Sequence, residues 1–485
     1  MAAAAAARPA ETVLAPIKES PPLPGFEGPE KTIEIDFVPG VGPADGLRAV
    51  TRESWDAILA HAACTILVEH RAPTIDAYVL SESSLFVMSH KLLIKTCGTT
   101  TLLLVLPEVL KAAEELGLKV EWLCYSRKDF LFPKHQKFPH RSMQEEISFL
   151  RKYFPDGHAH VLGPVTRDHW FVFTADRCER PSEDLTDRTL NLMMYDIAPE
   201  TAACFTREGL AKADEEAAAA LESALAKDVD PENTELCRKL GDRVTRKLRL
   251  HELLPGTATQ AWLFEPCGWS LNGEMSFPDQ VDTEESAFAA AAEASPVVAL
   301  APDTASAVAE ASSASTPKSS STPRSRDVCS GSGAYWTVHV TPEKHCSYVS
   351  FETSAPLKSH KALVRALLVL FRPRRFTLTV FADRAGLAEM TSRAHDHGAS
   401  DVFTVLPTLR YARLDLCSTE FVGDYSVILG NYRLLPDGVE EAPEDDDASP
   451  GTAPALSEAE LARFLKASAA ATARALRGRT LSEHR

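Results

Sequence analysis

The chain has 485 residues, of which 45% are hydrophobic and 25% charged. That is the balance of a globular protein, long enough for about three domain-sized units, and it excludes a collagen-like or wholly disordered chain. No run approaches the ~18 apolar residues of a membrane helix, and 51 basic against 68 acidic residues, net −17, argue against a nucleic acid or a membrane as partner.

The start, MAAAAAARPAETVLAP, has one arginine and no strong apolar region, so no secretory signal is expected. Residues 1–22 are rich in alanine and proline and are expected to be disordered. Short β-branched or alternating segments then predict strands over 32–37, 64–69, 77–80, 85–88 and 92–95. Residues 101–116 carry helical spacing with Gly117 as the stop, although Pro107 inside the run predicts a kink or a later start. A helix is expected over 144–154, strands over 159–162 and 170–174, and a long helical stretch over 206–248. Strands follow over 261–264, 335–341, 348–352, 376–382 and 425–429, with a helix over 361–371. Runs of strands with interspersed helices predict an α+β layered fold with antiparallel sheets.

Residues 284–332, centred on SSASTPKSSSTPRSR, are too polar to bury a core and are expected to be a disordered insertion in a domain spanning 23–436. Residues 437–485 form an acidic tail, with seven acids between Asp437 and Asp447, and then a helix over 457–477 opened by a Ser457 and Glu460 capping box. Ten scattered cysteines without a CxxC pair predict a reducing, cytoplasmic setting.

The sharpest local feature is YVLSESSLFVMSHKLLIKTCGTTT, residues 78–101. Two apolar runs flank Ser81, Glu82, Ser83 and Ser84, which is the pattern of a hairpin turn or of an activated serine. The G-x-S-x-G elbow of serine hydrolases is absent. Cys97 precedes a threonine run that opens the predicted helix, where a thiol pKa would be depressed, or it is structural. Ser270 lies in the turn-like FEPCGWSLNG, and His339 faces away from Val338 and Val340 on a strand. The pairs His158 and His160, and His395 and His397, lack convincing ligand spacing, so no metal is expected.

Taken together, FEGPEKTIEIDF (26–37), YVLSESSLFV (78–87), KTCGTT (95–100), YSRKDF (125–130), PHRSMQEEI (139–147), PCGWSLNG (266–273) and YWTVHVTPE (335–343) with YVSFET (348–353) resemble the eukaryotic S-adenosylmethionine decarboxylase proenzymes. The resemblance spans about residues 25–430. It implies a four-layer αββα sandwich of two antiparallel sheets flanked by helices. It also implies self-cleavage between Glu82 and Ser83 into a β chain, 1–82, and an α chain, 83–485. The cut would turn Ser83 into a pyruvoyl group that condenses with the substrate amine, with no metal and no pyridoxal phosphate. Cys97 matches the proton donor, Ser270 and His339 the processing pair, and Glu27 and Glu30 acids of the catalytic set. Phe26 and Phe264 match the aromatic pair around the adenine, Glu343 the ribose ligand, and the Leu80 backbone the substrate's flank.

A putrescine activator site is implied around Glu34, Lys95, Asp187, Thr189, Glu352, Phe381 and Tyr425, with Glu30 at its border. Asn191 departs from a family glutamate there, so activation is expected to be weak or altered. Members are monomers or homodimers, and the sequence leaves both open. Two other readings are weighed. An inactive regulatory paralogue would have lost the serine, cysteine or histidine, and an unrelated serine hydrolase lacks its elbow.

Overall fold

The computed structural model describes residues 25–164, 168–176, 187–275, 333–357, 359–391, 402–404, 409–421 and 425–435. The expected disordered start 1–22, the insertion 284–332 and the tail 437–485 lie outside these residues. Among the described residues, sixteen strands form two antiparallel sheets of eight.

The first sheet is built from β1 (Lys31–Phe37), β2 (Ile66–Arg71), β3 (Ile75–Leu80), β4 (Ser83–Met88), β5 (Lys91–Thr96), β6 (Val120–Lys128), β7 (His158–Leu162) and β8 (Trp170–Asp176). Its order is β2-β3-β4-β5-β1-β6-β8-β7. The second contains β9 (Arg188–Tyr195), β10 (Ala258–Leu263), β11 (Trp269–Met275), β12 (Ala334–Thr341), β13 (Tyr348–Thr353), β14 (Arg375–Asp383), β15 (Tyr411–Glu420) and β16 (Tyr425–Leu434). Its order, β10-β11-β12-β13-β9-β14-β16-β15, repeats the first with each strand number raised by eight.

Strand alternation explains the layers. On β4, Leu85 and Val87 join a core with Trp55 and Ile58 of α1 (Arg52–Ala60), Val109 of α2 (Leu106–Glu115) and Phe149 of α3 (Met143–Leu150). On β11 and β12, Leu271 and Val338 meet Leu240 and Val244 of α7 (Thr234–Lys247) and Leu363 and Leu367 of α8 (His360–Phe371). The opposite faces meet between the sheets, where Trp122 and Val172 of the first touch Tyr348 and Val427 of the second. The expected αββα sandwich is present.

Several expectations need correction. The helix over 101–116 is a 3-10 turn, Leu102–Val105, followed by α2, because Pro107 sits in the first turn of α2, where its missing N–H costs nothing. The stretch 206–248 divides into α5 (Arg207–Ala213), α6 (Glu215–Ala226) and α7, after a short α4 (Pro199–Ala203). Helices α9 (Arg384–Thr391) and α1 were missed, as were strands β6, β9, β11 and β15. Strand β6 ends in Ser126, Arg127 and Lys128, all buried; Arg127 pairs with the buried Glu146 of α3 at 2.7 Å. Polar residues that find such partners hide a strand from hydrophobic patterning. Among the described residues no helix is long and apolar enough to cross a membrane.

Candidate active site

Strands β3 and β4 form a hairpin in which Leu80 pairs with Ser83, so only Ser81 and Glu82 make the turn. A two-residue turn demands positive φ somewhere near it, and here Ser83 itself takes φ +115°. A side chain in that region costs about 1–3 kcal/mol. The Ser83 hydroxyl is buried and has no hydrogen-bond partner among the described residues. The carbonyl oxygen of Glu82 accepts from the Cys97 N–H at 3.1 Å. The peptide bond between Glu82 and Ser83 is therefore strained on one side, polarised on the other, and next to an uncommitted hydroxyl.

The second sheet brings a histidine to the same hairpin. The register pairs Ser270 of β11 with His339 of β12, which places both on the face toward the first sheet. Ser270 is thus a strand residue, not the turn residue its sequence suggested. Asn272 Nδ2 donates to the Tyr78 carbonyl at 2.9 Å, which turns its Oδ1 toward two hydroxyls. Ser84 Oγ donates to Oδ1 at 2.6 Å, and Thr337 Oγ1 lies 2.9 Å from Oδ1 and 3.0 Å from the Leu271 carbonyl. With both hydroxyl protons committed, the oxygens of Ser84 and Thr337 can only accept from His339 Nε2, at 3.0 and 2.8 Å. This accounting assigns the ring proton to Nε2 and leaves the Nδ1 lone pair facing Ser270 Oγ at 2.8 Å. Burial, and secondarily Lys95, hold the imidazole pKa well below its usual value, so the ring is a neutral base. His339 bonds to Ser84, the neighbour of Ser83, and not to Ser83 itself.

Cys97 lies across the hairpin, with its thiol 3.5 Å from Glu82 Oε2. The expected depressed thiol pKa is not found. The thiol is buried beside Glu82 and Glu30, and desolvation first, then those acids, push its pKa well above the usual value. The 3-10 turn starts only at Leu102, too far away to help. Cys97 therefore holds its proton. The next residue, Gly98, donates to the Glu27 carbonyl at 2.8 Å and accepts from the buried Lys31 Nζ at 3.1 Å. Burial lowers the Lys31 pKa to about 8. The Glu27 carboxylate accepts from the N–H groups of Leu131 and Phe132 at 2.8 and 2.7 Å. Burial outweighs those bonds and raises its pKa to about 6.

Phe26 ties this loop to β12. Its N–H donates to Glu343 Oε2 at 3.0 Å, and its ring lies against Gly98, where an added Cβ would be 3.4 Å away. Phe264 follows β10 and contacts Trp262, with ring centroids 6.5 Å apart. Phe26 and Phe264 make no ring contact with each other among the described residues. Leu80 is buried in the hairpin.

Deeper between the sheets lies a cavity of about 340 Å³, mouth included, lined among others by Glu34, Thr189, Asn191, Glu352 and Phe381. Glu352 accepts from Lys95 Nζ and Asn191 Nδ2, each at 2.7 Å, and from the Tyr335 hydroxyl at 2.9 Å. Glu30 accepts from Tyr348 at 2.7 Å and from Ser350; burial raises its pKa. Lys91 pairs with Glu34, with Asp36 at 3.6 Å and with Asp187 at 3.2 Å. Burial raises the Glu34 pKa to about 7 against that lysine. Tyr425 sits against Trp122, with centroids 5.0 Å apart.

Sequence reasoning missed Ser84, Asn272, Thr337, Lys31 and Lys91. Alternation from His339 and Ser270 would have placed Thr337 and Asn272 on the inter-sheet face. Nothing in the sequence marks Lys31 as buried or Lys91 as half-buried among acids.

The family model described as adenosylmethionine decarboxylase matches residues 24–282 and 324–433. An S-adenosylmethionine decarboxylase proenzyme from Dictyostelium discoideum is 31% identical over 87% of this chain and 89% of its own length. One from Xenopus laevis is 30% identical over 76% of this chain and 86% of its own. The solved Trypanosoma brucei AdoMetDC-delta26 monomer is 20% identical with a TM-score of 0.43, over 73% of this chain and 99% of its own.

Proposed function

The chain belongs to the adenosylmethionine decarboxylase family, and from that premise we propose that it cuts itself between Glu82 and Ser83 and then decarboxylates S-adenosylmethionine. The product, decarboxylated S-adenosylmethionine, would supply aminopropyl groups for spermidine and spermine. The observation that carries the reading is Ser83: φ +115°, a buried hydroxyl without a partner among the described residues, and a preceding carbonyl held by the Cys97 N–H.

Ser83 Oγ attacks the Glu82 carbonyl carbon, and the peptide C–N bond breaks as the ester C–O bond forms, the hydroxyl proton passing to the freed Ser83 nitrogen. The Cys97 N–H steadies the negative charge that builds on the carbonyl oxygen. The Nδ1 lone pair of His339 then takes the Ser83 α-proton by way of the Ser270 hydroxyl, and the Glu82 carboxylate leaves. Water and loss of ammonia convert the remaining dehydroalanine into the ketone. The neutral ring of His339 suits it to this work, and its bond to Ser84 holds it one residue from that α-carbon. Ser270, which donates to Nδ1, hands that proton to the ring.

An orphaned serine hydroxyl at a strained bond fits the precursor of a pyruvoyl group, which would supply an electron sink for the substrate carboxylate's departing carbon dioxide. Cys97 keeps a proton ready for the product carbon. Phe26 and Phe264 would flank the adenine, Glu343 would hold the ribose, the Leu80 backbone would border the substrate, and Glu27 and Glu30 would fix the loop and floor of the site. An inactive regulatory paralogue is disfavoured, since Ser83, Cys97, Ser270 and His339 are all present.

The cavity behind Glu352 is the proposed putrescine site, with Glu34, Lys95, Asp187, Thr189, Phe381 and Tyr425 around it. Its response is weak or altered, because Asn191 donates to Glu352 instead of offering a charge, and Lys91 and Lys95 already pair with its acids.

A denaturing gel with intact-mass measurement tests the reading. The 52.8 kDa chain should yield pieces of roughly 9 and 44 kDa, in proportion to 82 and 403 of 485 residues. One uncut band that nonetheless releases carbon dioxide, or a cut elsewhere, would overturn it.

A further inference from the structure

The turn between β12 and β13 carries chemistry that the decarboxylation reading does not use. The Cys346 N–H donates to the Glu343 carbonyl at 3.0 Å, closing a tight turn that brings both side chains to one side. Cys346 Sγ lies 3.8 Å from Glu343 Oε2. With His345 between them, one ligand atom from each residue falls within 4.8 Å of the other two. His345 is exposed and its ring has no hydrogen-bond partner among the described residues, Glu343 is half-buried, and Cys346 is buried. Gly25 covers the pair from one side: a Cβ there would stand 2.4 Å from His345 Nε2 and 2.6 Å from Cys346 Sγ. Only a glycine can pass so close, and it leaves thiol and imidazole converging on one small space.

A thiolate, an imidazole and a carboxylate form a donor set that Zn²⁺ takes readily, with a fourth position left for water. We propose that Glu343, His345 and Cys346 bind a thiophilic divalent cation, Zn²⁺ by its donor preference, at the rim of the active site, and that this ion and the substrate exclude each other. Binding moves the thiol proton to solvent and forms a metal–sulfur bond. Without the ion, burial and the Glu343 charge push the Cys346 thiol up to about 12; a divalent charge reverses that balance. The exclusion follows from Glu343, which accepts from the Phe26 N–H and, on the proposed function, would hold the substrate ribose. An ion on that carboxylate takes it from both. The exclusion rests on that reading; the metal site does not.

The test uses the full chain, stripped with a chelator and kept reduced, titrated calorimetrically with Zn²⁺ and spectroscopically with Co²⁺. One ion per chain is expected, with a thiolate-to-cobalt charge-transfer band. Cys346→Ser should remove the band, and His345→Ala, at an exposed position that leaves the fold intact, should weaken Zn²⁺ binding at least about tenfold, the low end of the loss seen when even an outer-shell partner goes. Equal affinity in the wild type and both variants, or a band that survives Cys346→Ser, overturns the site. Saturating S-adenosylmethionine should weaken Zn²⁺ binding at least about tenfold. If it does not while the variants still lose the ion, the site stands and the exclusion falls. If the protein neither cuts itself nor decarboxylates, the proposed function fails, and the Zn²⁺ and Co²⁺ titrations still decide the site.

Discussion

The two halves of the molecule share a strand order, yet their equivalent hairpins do opposite work. In the first half, β3 and β4 are joined by Ser81 and Glu82 alone, and the tightness of that turn leaves Ser83 in a conformation side chains avoid. In the second half, β11 and β12 pair in the same topological place with regular register, and residues 276–333 join them. One hairpin carries the bond proposed to break. The other, relaxed and well paired, presents Ser270, Asn272, Thr337 and His339 toward it. A duplicated scaffold brings like positions face to face across its middle, so strain can sit in one copy and a rigid set of proton acceptors in the other.

The predictions set one half against the other. Ser83→Ala should abolish cutting, leaving one band on a denaturing gel; two pieces would show that strain and hydroxyl in the first half are irrelevant. His339→Ala should slow cutting about 10²- to 10⁴-fold, the usual worth of a general base, read as the half-life of the uncut band. A smaller effect would move the base out of the second half.

Glu27→Gln tests the electrostatics of the first half. Burial raises the Glu27 pKa from 4.5 to about 6. The stability of the neutral carboxyl is thus fully present below pH 4.5 and lost as pH rises through 6. The wild type should lose about 2 kcal/mol relative to the variant over that window, at ~1.4 kcal/mol per unit. Denaturant melts at pH 4 and 7 read the difference; parallel pH profiles would refute it.

Asn272→Ala should slow cutting about tenfold, the worth of a hydrogen bond of ~1.4 kcal/mol, because Ser84 is then free to donate and the His339 ring loses its assigned proton position. An unchanged rate in a variant with a normal melting temperature would break the tautomer argument. The smallest effect is expected at Asn191→Glu, which adds an acid beside Glu352 and should raise putrescine stimulation a few-fold, about 1 kcal/mol. Strong stimulation of the unaltered chain would count against the altered-site reading.

Much of this was legible in the residues. The strands over 32–37, 85–88, 335–341 and 348–352 fall inside observed ones because β-branched and aromatic residues alternate there. His339 was placed on its correct face by Val338 and Val340. Strand β6 was missed because its buried Arg127 and Lys128 look like surface residues until Glu146 and Asp168 arrive to pair with them. Ser270 looked like a turn residue because Gly268 and Gly273 bracket it, and only pairing with β12 makes it a strand. The Cys97 thiol was misjudged for the same reason, since a helix start can be read locally whereas burial beside Glu82 and Glu30 cannot.

By itself, the order of residues determined the chemistry on offer: a serine after a glutamate, a cysteine before a glycine, and a histidine alternating with valines, because side-chain type and strand period are local properties. Tertiary structure alone decided which nitrogen of His339 holds its proton, that it grips Ser84, that Lys91 lies among three acids, and that Cys346 meets His345 under Gly25. Those outcomes depend on desolvation and on partners far apart in the chain, and neither exists until the two sheets close on each other.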